Sequence, residues 1–210
     1  NTGSVPPFLF NLAGITIWNY FTACLNGTSN TFGSNAGIFG KVYFPRIIVP
    51  LSIVISNLLK FGIQFFIFIC FYLYYYLQGA AIGMNATTLF FPLLIVMMGI
   101  LGLGLGMFIS SLVTKYRDFS NLVGFGVQLL MYVSAVMYPM ALIKEKLPTY
   151  GWLVEYNPLA YVIETTRYML LDVGHISLLG LGYTFLVTIS VFFVGVLIFN
   201  RTEKSFIDTV

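Results

Sequence analysis

Apolar residues run along this chain in long blocks with short polar breaks between them. The first block covers residues 7–25, where Trp18, Asn19 and Tyr20 add polar and aromatic character, and it gives way to a polar stretch over 26–35 that reads as a loop. A second block extends over 47–76, with Lys41 and Arg46 before it and Tyr72, Tyr74, Tyr75 and Tyr76 at its far end. Basic residues on one side and aromatic residues on the other are how the two membrane interfaces flank a span. The third block, 88–113, runs into Lys115, Tyr116, Arg117 and Asp118, and a fourth resumes at once over 119–138, so the pair predicts a helical hairpin with a charged tip. The last block, 176–199, ends in a tail carrying Arg201, Glu203, Lys204 and Asp208. Each block is about 19 residues or longer, enough for a helix rising 1.5 Å per residue to cross about 30 Å of hydrocarbon. The pattern predicts an all-α polytopic membrane bundle with five spans.

Between the fourth and fifth spans, 139–175 is apolar in patches but broken by Pro139, Pro148, Gly151 and Pro158. Short helices that do not cross are expected here. Asn157 before Pro158 is a good helix start, a capping side chain followed by a first-turn proline, and Leu159, Val162, Ile163 and Thr166 then repeat at helical spacing. A helix over 158–171 reaches only about 21 Å, so a re-entrant or interfacial hairpin fits, shielded by protein or water.

Composition sharpens this picture. Of 210 residues, 59% are hydrophobic and 8% are charged, whereas soluble domains carry about a quarter charged residues. The formal charge of +3 is scattered through short loops and points away from nucleic acid. Cys24 and Cys70 lie inside apolar blocks without metal-ligand spacing. Basic residues near span ends set orientation. Lys41, Arg46, Lys115, Arg117, Arg201 and Lys204 gather on one side, while Lys144, Lys146 and Arg167 on the other are diluted by Glu145, Glu155, Glu164 and Asp172. The first side is therefore expected in the cytoplasm with the C-terminus, and residue 1 outside, which leads us to expect a span upstream of residue 1.

Gly102, Gly104 and Gly106 imitate a dinucleotide loop, but no strand precedes them and no acidic partner follows; Gly102, Gly106 and Ser110 instead line one helix face for close packing. Lys60 falls near the middle of the second span, where an ammonium costs about 3 kcal/mol on insertion scales. Two readings stand: a translocation path meeting an anionic group such as a phosphate, or a structural hydrogen bond to Asn57 or Gln64. The aromatic content of 18% admits a path on which sugars stack, with Phe65, Tyr72 and Tyr132 as candidate lining beside Lys60, although belts and lipid contact explain most such rings. Glu164 and Arg167, three apart, are a candidate external gate or simply an exposed ion pair. No catalytic set, metal-ligand cluster or Walker loop occurs, so no cofactor is expected on the chain itself, and any ATP-driven step needs a partner.

The string Lys41-Val42-Tyr43-Phe44-Pro45-Arg46 resembles the segment before the third membrane helix in permeases of bacterial ABC-2 type polysaccharide exporters. Tyr116-Arg117-Asp118, Tyr138-Pro139, Asn157-Pro158-Leu159-Ala160 with Glu164 and Arg167, and the tail Glu203-Lys204-Ser205-Phe206-Ile207-Asp208 agree in order and spacing. The resemblance covers nearly the whole chain, 1–210, as a single transmembrane domain and makes its first span the second of six, with an N-terminal amphipathic helix and one span expected upstream. It implies an inner-membrane homodimer working with two cytoplasmic ATP-binding subunits, which hold ATP and Mg²⁺, to export lipid-linked O-antigen, teichoic acid or a similar polymer. It also implies that Asn35, Ile38, Phe39, Lys41, Val42 and Tyr43 form the element docking on the ATPase, with Tyr116, Arg117 and Asp118 in a further cytoplasmic loop. An exporter of a drug or small lipid, and a polytopic enzyme acting on a lipid-linked sugar, remain alternatives.

Overall fold

The computed structural model describes residues 5–39, 45–116, 118–146 and 148–207. Nine α-helices lie among these: α1 (Pro7–Ser29), α2 (Thr31–Phe39), α3 (Ile48–Leu77), α4 (Phe91–Lys115), α5 (Phe119–Val133), α6 (Met140–Lys146), α7 (Gly151–Glu155), α8 (Pro158–Leu171) and α9 (Leu178–Ile207). Four of the described helices, α1, α3, α4 and α9, are long and apolar enough to cross a membrane.

The four differ in position. In α1 and α4, 61% of the most apolar stretch is buried inside the protein, against 17% in α3 and α9, so α1 and α4 form the centre and α3 and α9 its flanks. The outward residues of α3 and α9 are themselves apolar, among them Leu59, Ile63, Phe66, Leu179 and Leu186. In water that surface would drive aggregation; against lipid tails it costs nothing.

Small residues let the central helices touch. A Cβ on Gly102 would lie 2.9 Å from Cys24 Cβ and from the Phe21 carbonyl of α1, and Gly106 sits against Thr28. The expected packing stripe therefore meets α1. Gly104 points the other way, where a Cβ would lie 2.8 Å from Phe192 Cα, and Gly195 faces the Gly104 carbonyl in return. Helix α4 is thus notched on two sides, one for α1 and one for α9.

Two sequence expectations change. The stretch 26–35 is helical apart from the turn at Asn30, covering the last turn of α1 and the first half of α2, because its polar side chains bond back to carbonyls three or four residues earlier. Thr28 Oγ1 donates to the Cys24 carbonyl at 2.7 Å, Thr31 Oγ1 to Thr28 at 2.8 Å and Asn35 Nδ2 to Thr31 at 2.9 Å. The expected fourth span over 119–138 stops at Val133: α5 has 15 residues, about 22 Å at 1.5 Å per residue, and Ala135 breaks the helix with φ of 54°. Five predicted full spans become four plus a short apolar helix. The long segment before α9 behaves as expected, with α6, α7 and α8 all too short to cross.

Helix α8 begins where the capping argument places it. Asn157 Oδ1 accepts from the Leu159 amide at 3.0 Å, and its Nδ2 donates to Ser134 Oγ at 3.0 Å, tying the cap to the break after α5. At its other end Asp172 takes a left-handed conformation and its amide donates to the Tyr168 carbonyl. Asn85 Nδ2 donates to that same carbonyl at 3.1 Å and to Asp172 Oδ1 at 2.7 Å, while the Asn85 amide and Thr88 Oγ1 both donate to Met169. The polar turn before α4 thereby closes the end of α8.

Candidate functional site

The two ends of the bundle carry different chemistry. At one end lie the last turn of α1, all of α2, the entry to α3 and the end of α9. Phe32, in the first turn of α2, stacks on Phe199 of α9 with ring centroids 4.5 Å apart and both side chains buried. Arg46, just before α3, is also buried; its Nη1 donates to the Glu203 carbonyl at 3.3 Å and its Nε lies 3.8 Å from Glu203 Oε1. Sequence reasoning missed both contacts: the partners are separated by most of the chain, and no local pattern joins them.

The residues expected to dock on an ATPase follow on from this cluster. Asn35 is half-buried in α2, and the backbones of Ile38 and Phe39 complete that helix. Lys41, Val42 and Tyr43 lie outside the described residues, as does Arg117. Tyr116 is exposed beyond α4, beneath the Lys115 ammonium at 5.4 Å from its ring, and Asp118 is exposed at the entry to α5.

The opposite end is organised by Arg167, which is 0% exposed. Its Nε donates to the Phe10 carbonyl at 3.4 Å, its Nη1 to Ala135 at 2.9 Å and Tyr138 at 3.2 Å, and its Nη2 to Val136. The guanidinium carbon sits 3.8 Å from the centre of the Phe10 ring, and Nη1 is 3.8 Å from Glu164 Oε2. The pair is therefore buried, not exposed: the unwound residues after α5 offer a cluster of carbonyls that only a rigid fork of N–H groups can satisfy together. Burial lowers the Arg167 pKa to about 10, against the opposing pull of Glu164, so the cation persists at neutral pH. Burial also raises the Glu164 carboxyl above its usual range, with Arg167 the main group resisting it. Glu164 Oε2 lacks any hydrogen bond among the described residues, so this carboxylate gains less from the cluster than the arginine does.

The candidate path residues do not come together. Tyr72 is buried and Phe65 half-buried inside a stack with Phe61, Phe68 and Phe91, ring centroids 5.2 to 6.2 Å apart, so packing accounts for both. Tyr132 is exposed on α5. Lys60 is exposed on the outer side of α3, while Asn57 is buried and Gln64 Oε1 accepts from Asn19 Nδ2 at 3.5 Å; among the described residues neither holds the lysine. The depth argument also changes. Helix α3 has 30 residues, about 45 Å, and overhangs the hydrocarbon by about 15 Å. With tyrosines 74–76 at one boundary, Lys60 falls roughly 6–9 Å inside the other, and helical side chains lean toward the helix start. Its ammonium can snorkel to the interface at the α2 end.

A bundle of apolar helices, notched for close approach and burying charge, among the described residues, at Arg46 near one end and at Glu164 and Arg167 near the other, defines a multi-pass membrane protein. Residues 3–171 match the ABC-2 type transporter family model, and the chain belongs to that family of transporter membrane subunits. Two O-antigen export system permease proteins RfbA from Klebsiella pneumoniae are similar along almost the whole chain. One is 29% identical over 204 residues, covering 95% of this chain and 74% of the relative, and the other is 27% identical over 203 residues with the same coverage. An RfbA of the same description from Myxococcus xanthus is 23% identical over 148 residues, 70% of this chain and 54% of the relative.

Proposed function

We propose that this permease is the membrane half of an ATP-driven exporter that moves a lipid-linked polysaccharide, of the O-antigen or teichoic acid kind, outward across the bacterial inner membrane. Two copies pair with each other and with two cytoplasmic subunits that bind ATP and Mg²⁺; the α2 end and the C-terminus face the cytoplasm. The cargo rests on the relatives, both named as O-antigen export permeases, and the orientation on the basic residues collected near that end. The observation that carries the mechanism is α2, a nine-residue helix between two spans, fastened to α9 through Phe32 and ideally placed to pass on a push from below. ATP-driven closure of the partner dimer moves α2 as a rigid body, and the spans follow.

The lysine at position 60, reaching the cytoplasmic interface, suits the phosphate of a lipid-linked substrate entering from the inner leaflet. Tyr132, Gln128 and Gly124 recur every four residues on α5 and are all exposed, a polar and small-residue stripe that favours a second protein surface or an aqueous route over lipid.

The test is assembly with the partner ATPase in nanodiscs. Alanine at Phe39 and Tyr43 together is expected to leave the permease folded and to abolish permease-dependent control of ATP hydrolysis; a complex that assembles and hydrolyses normally removes α2 from this role. For a sugar-transferring enzyme, alanine at Glu155, Asp172 or His175 eliminates activity, whereas the exporter retains polymer export with each of them replaced.

A further inference from the structure

Two contacts made by one face of α9 enclose the coupling region. Phe199 and Glu203 are four residues apart and so lie one above the other on that helix. The first holds Phe32, at the start of α2; the second holds Arg46, at the entry to α3. Phe32 and Arg46, which bracket most of α2 and lead into α3, are therefore both fastened to the same strip of α9. The fastenings differ in kind, a buried ring stack and a buried guanidinium on a carbonyl and a carboxylate, and they arise from different elements, the start of α2 and the entry to α3. Neither is demanded by lipid: an arginine at a membrane interface is ordinarily left in water, and burying Arg46 to 7% exposure is worthwhile only where its N–H groups find fixed acceptors. The carbonyl it meets is close to the C-terminal end of α9, where the helix carries partial negative charge.

We infer that the end of α9 is part of the coupling element, with Phe199 and Glu203 as positioning residues that make α2, the entry to α3 and α9 a single moving body. This rests on the role proposed above for α2. The consequence reaches further, because α9 meets α4 backbone to backbone at Gly104 and Gly195, and α4 meets α1 at Gly102 and Gly106. A push on α2 is delivered to α4 from the α9 side as well as through α1. Helix α5, none of whose residues is fully buried, packs only its Val123, Val127, Leu130 and Met131 side against this body.

The experiment uses the full export complex in membranes, on a Cys70→Ser background that removes the exposed free thiol while the buried Cys24 stays. Phe32→Cys and Phe199→Cys are joined by a short bifunctional thiol reagent. The expected result is that the unjoined double-cysteine complex, which lacks the ring stack, exports less polymer per ATP than the Cys70→Ser parent, and that joining the two thiols restores export towards the parent's rate, since the link replaces the stack within one body. Export that stops while hydrolysis continues overturns the inference, because α2 and α9 then have to part during the cycle. The second arm exchanges the charges. Glu203→Arg is expected to lower polymer exported per ATP with assembly intact, and adding Arg46→Glu is expected to raise it again; no recovery counts against the clasp. These outcomes are separate from the Phe39 and Tyr43 test, which bears on whether α2 couples at all.

Discussion

Arg167 shows how much one side chain settles in this protein. Its fork of N–H groups holds the carbonyls of Phe10, Ala135, Val136 and Tyr138, joining α1, the break after α5 and α8 at a single point. Arg167→Met leaves those carbonyls without their donor and Glu164 as a buried uncompensated charge, a loss expected at about 3–5 kcal/mol. Melting of the purified permease in detergent measures it. Arg167→Lys keeps the charge but not the fork, and is expected to recover only part. Glu164→Gln is expected to cost less than about 1 kcal/mol, because burial already disfavours the carboxylate and replacing it relieves that penalty along with the attraction. The pH dependence follows from the raised carboxyl. A group whose folded pKa is raised contributes fully while protonated, and that contribution is lost as pH rises through the folded value. Wild type should therefore lose ground to Glu164→Gln as pH is raised above 4.5, a widening gap between their melting temperatures that a pH series in detergent measures.

Among the elements, α4 is where packing is least forgiving. A methyl group on Gly104 would meet Phe192 Cα at 2.8 Å, and backbone cannot rotate aside, so Gly104→Ala should force α4 and α9 apart at about 1–3 kcal/mol. Gly62 on α3 has open space around a Cβ, and Gly62→Ala should leave the melting temperature unchanged or slightly raised. If both behave alike, the helices do not approach as closely as their glycines require. The same elements show what local sequence conveys. The boundaries of α3 and α8 were legible because unbroken apolar residues define one, and Asn157-Pro158 starts the other. The end of α5 was not, since residues 134–138 are mostly apolar and their unwinding is held by an arginine some thirty positions away. The helical course of 26–35 was hidden for the opposite reason: Thr28, Thr31 and Asn35 are residues that commonly leave a helix, and here they bond back into it. Of the candidate sites, the Glu164 and Arg167 pairing could be read from spacing, but its burial could not, and the Arg46 to Glu203 contact has no local trace at all.

At the scale of the whole molecule, the single chain leaves one face of one helix unpartnered while its Val123, Val127, Leu130 and Met131 pack on the core. Flanking α3 and α9 turn apolar residues outward, as lipid requires, yet α5 turns out Asn121, Gln128 and Tyr132 along with Gly124, and an added Cβ at Gly124 or Gly126 would meet nothing. Polar groups at membrane depth that find no partner in their own chain are satisfied by another chain or by water. A second copy offers the same stripe in return, and a two-fold interface brings a residue near the axis close to its own counterpart. Cysteine at Gln128, in membranes and on the Cys70→Ser background, is therefore expected to cross-link two permeases, whereas cysteine at Leu179, 90% exposed on α9, is expected to remain uncross-linked. Gln128→Leu separates the same two cases by a different route. Against lipid, the apolar side chain should stabilise the protein and leave export untouched; within a paired interface or a wet route, it should weaken dimers in detergent or slow export.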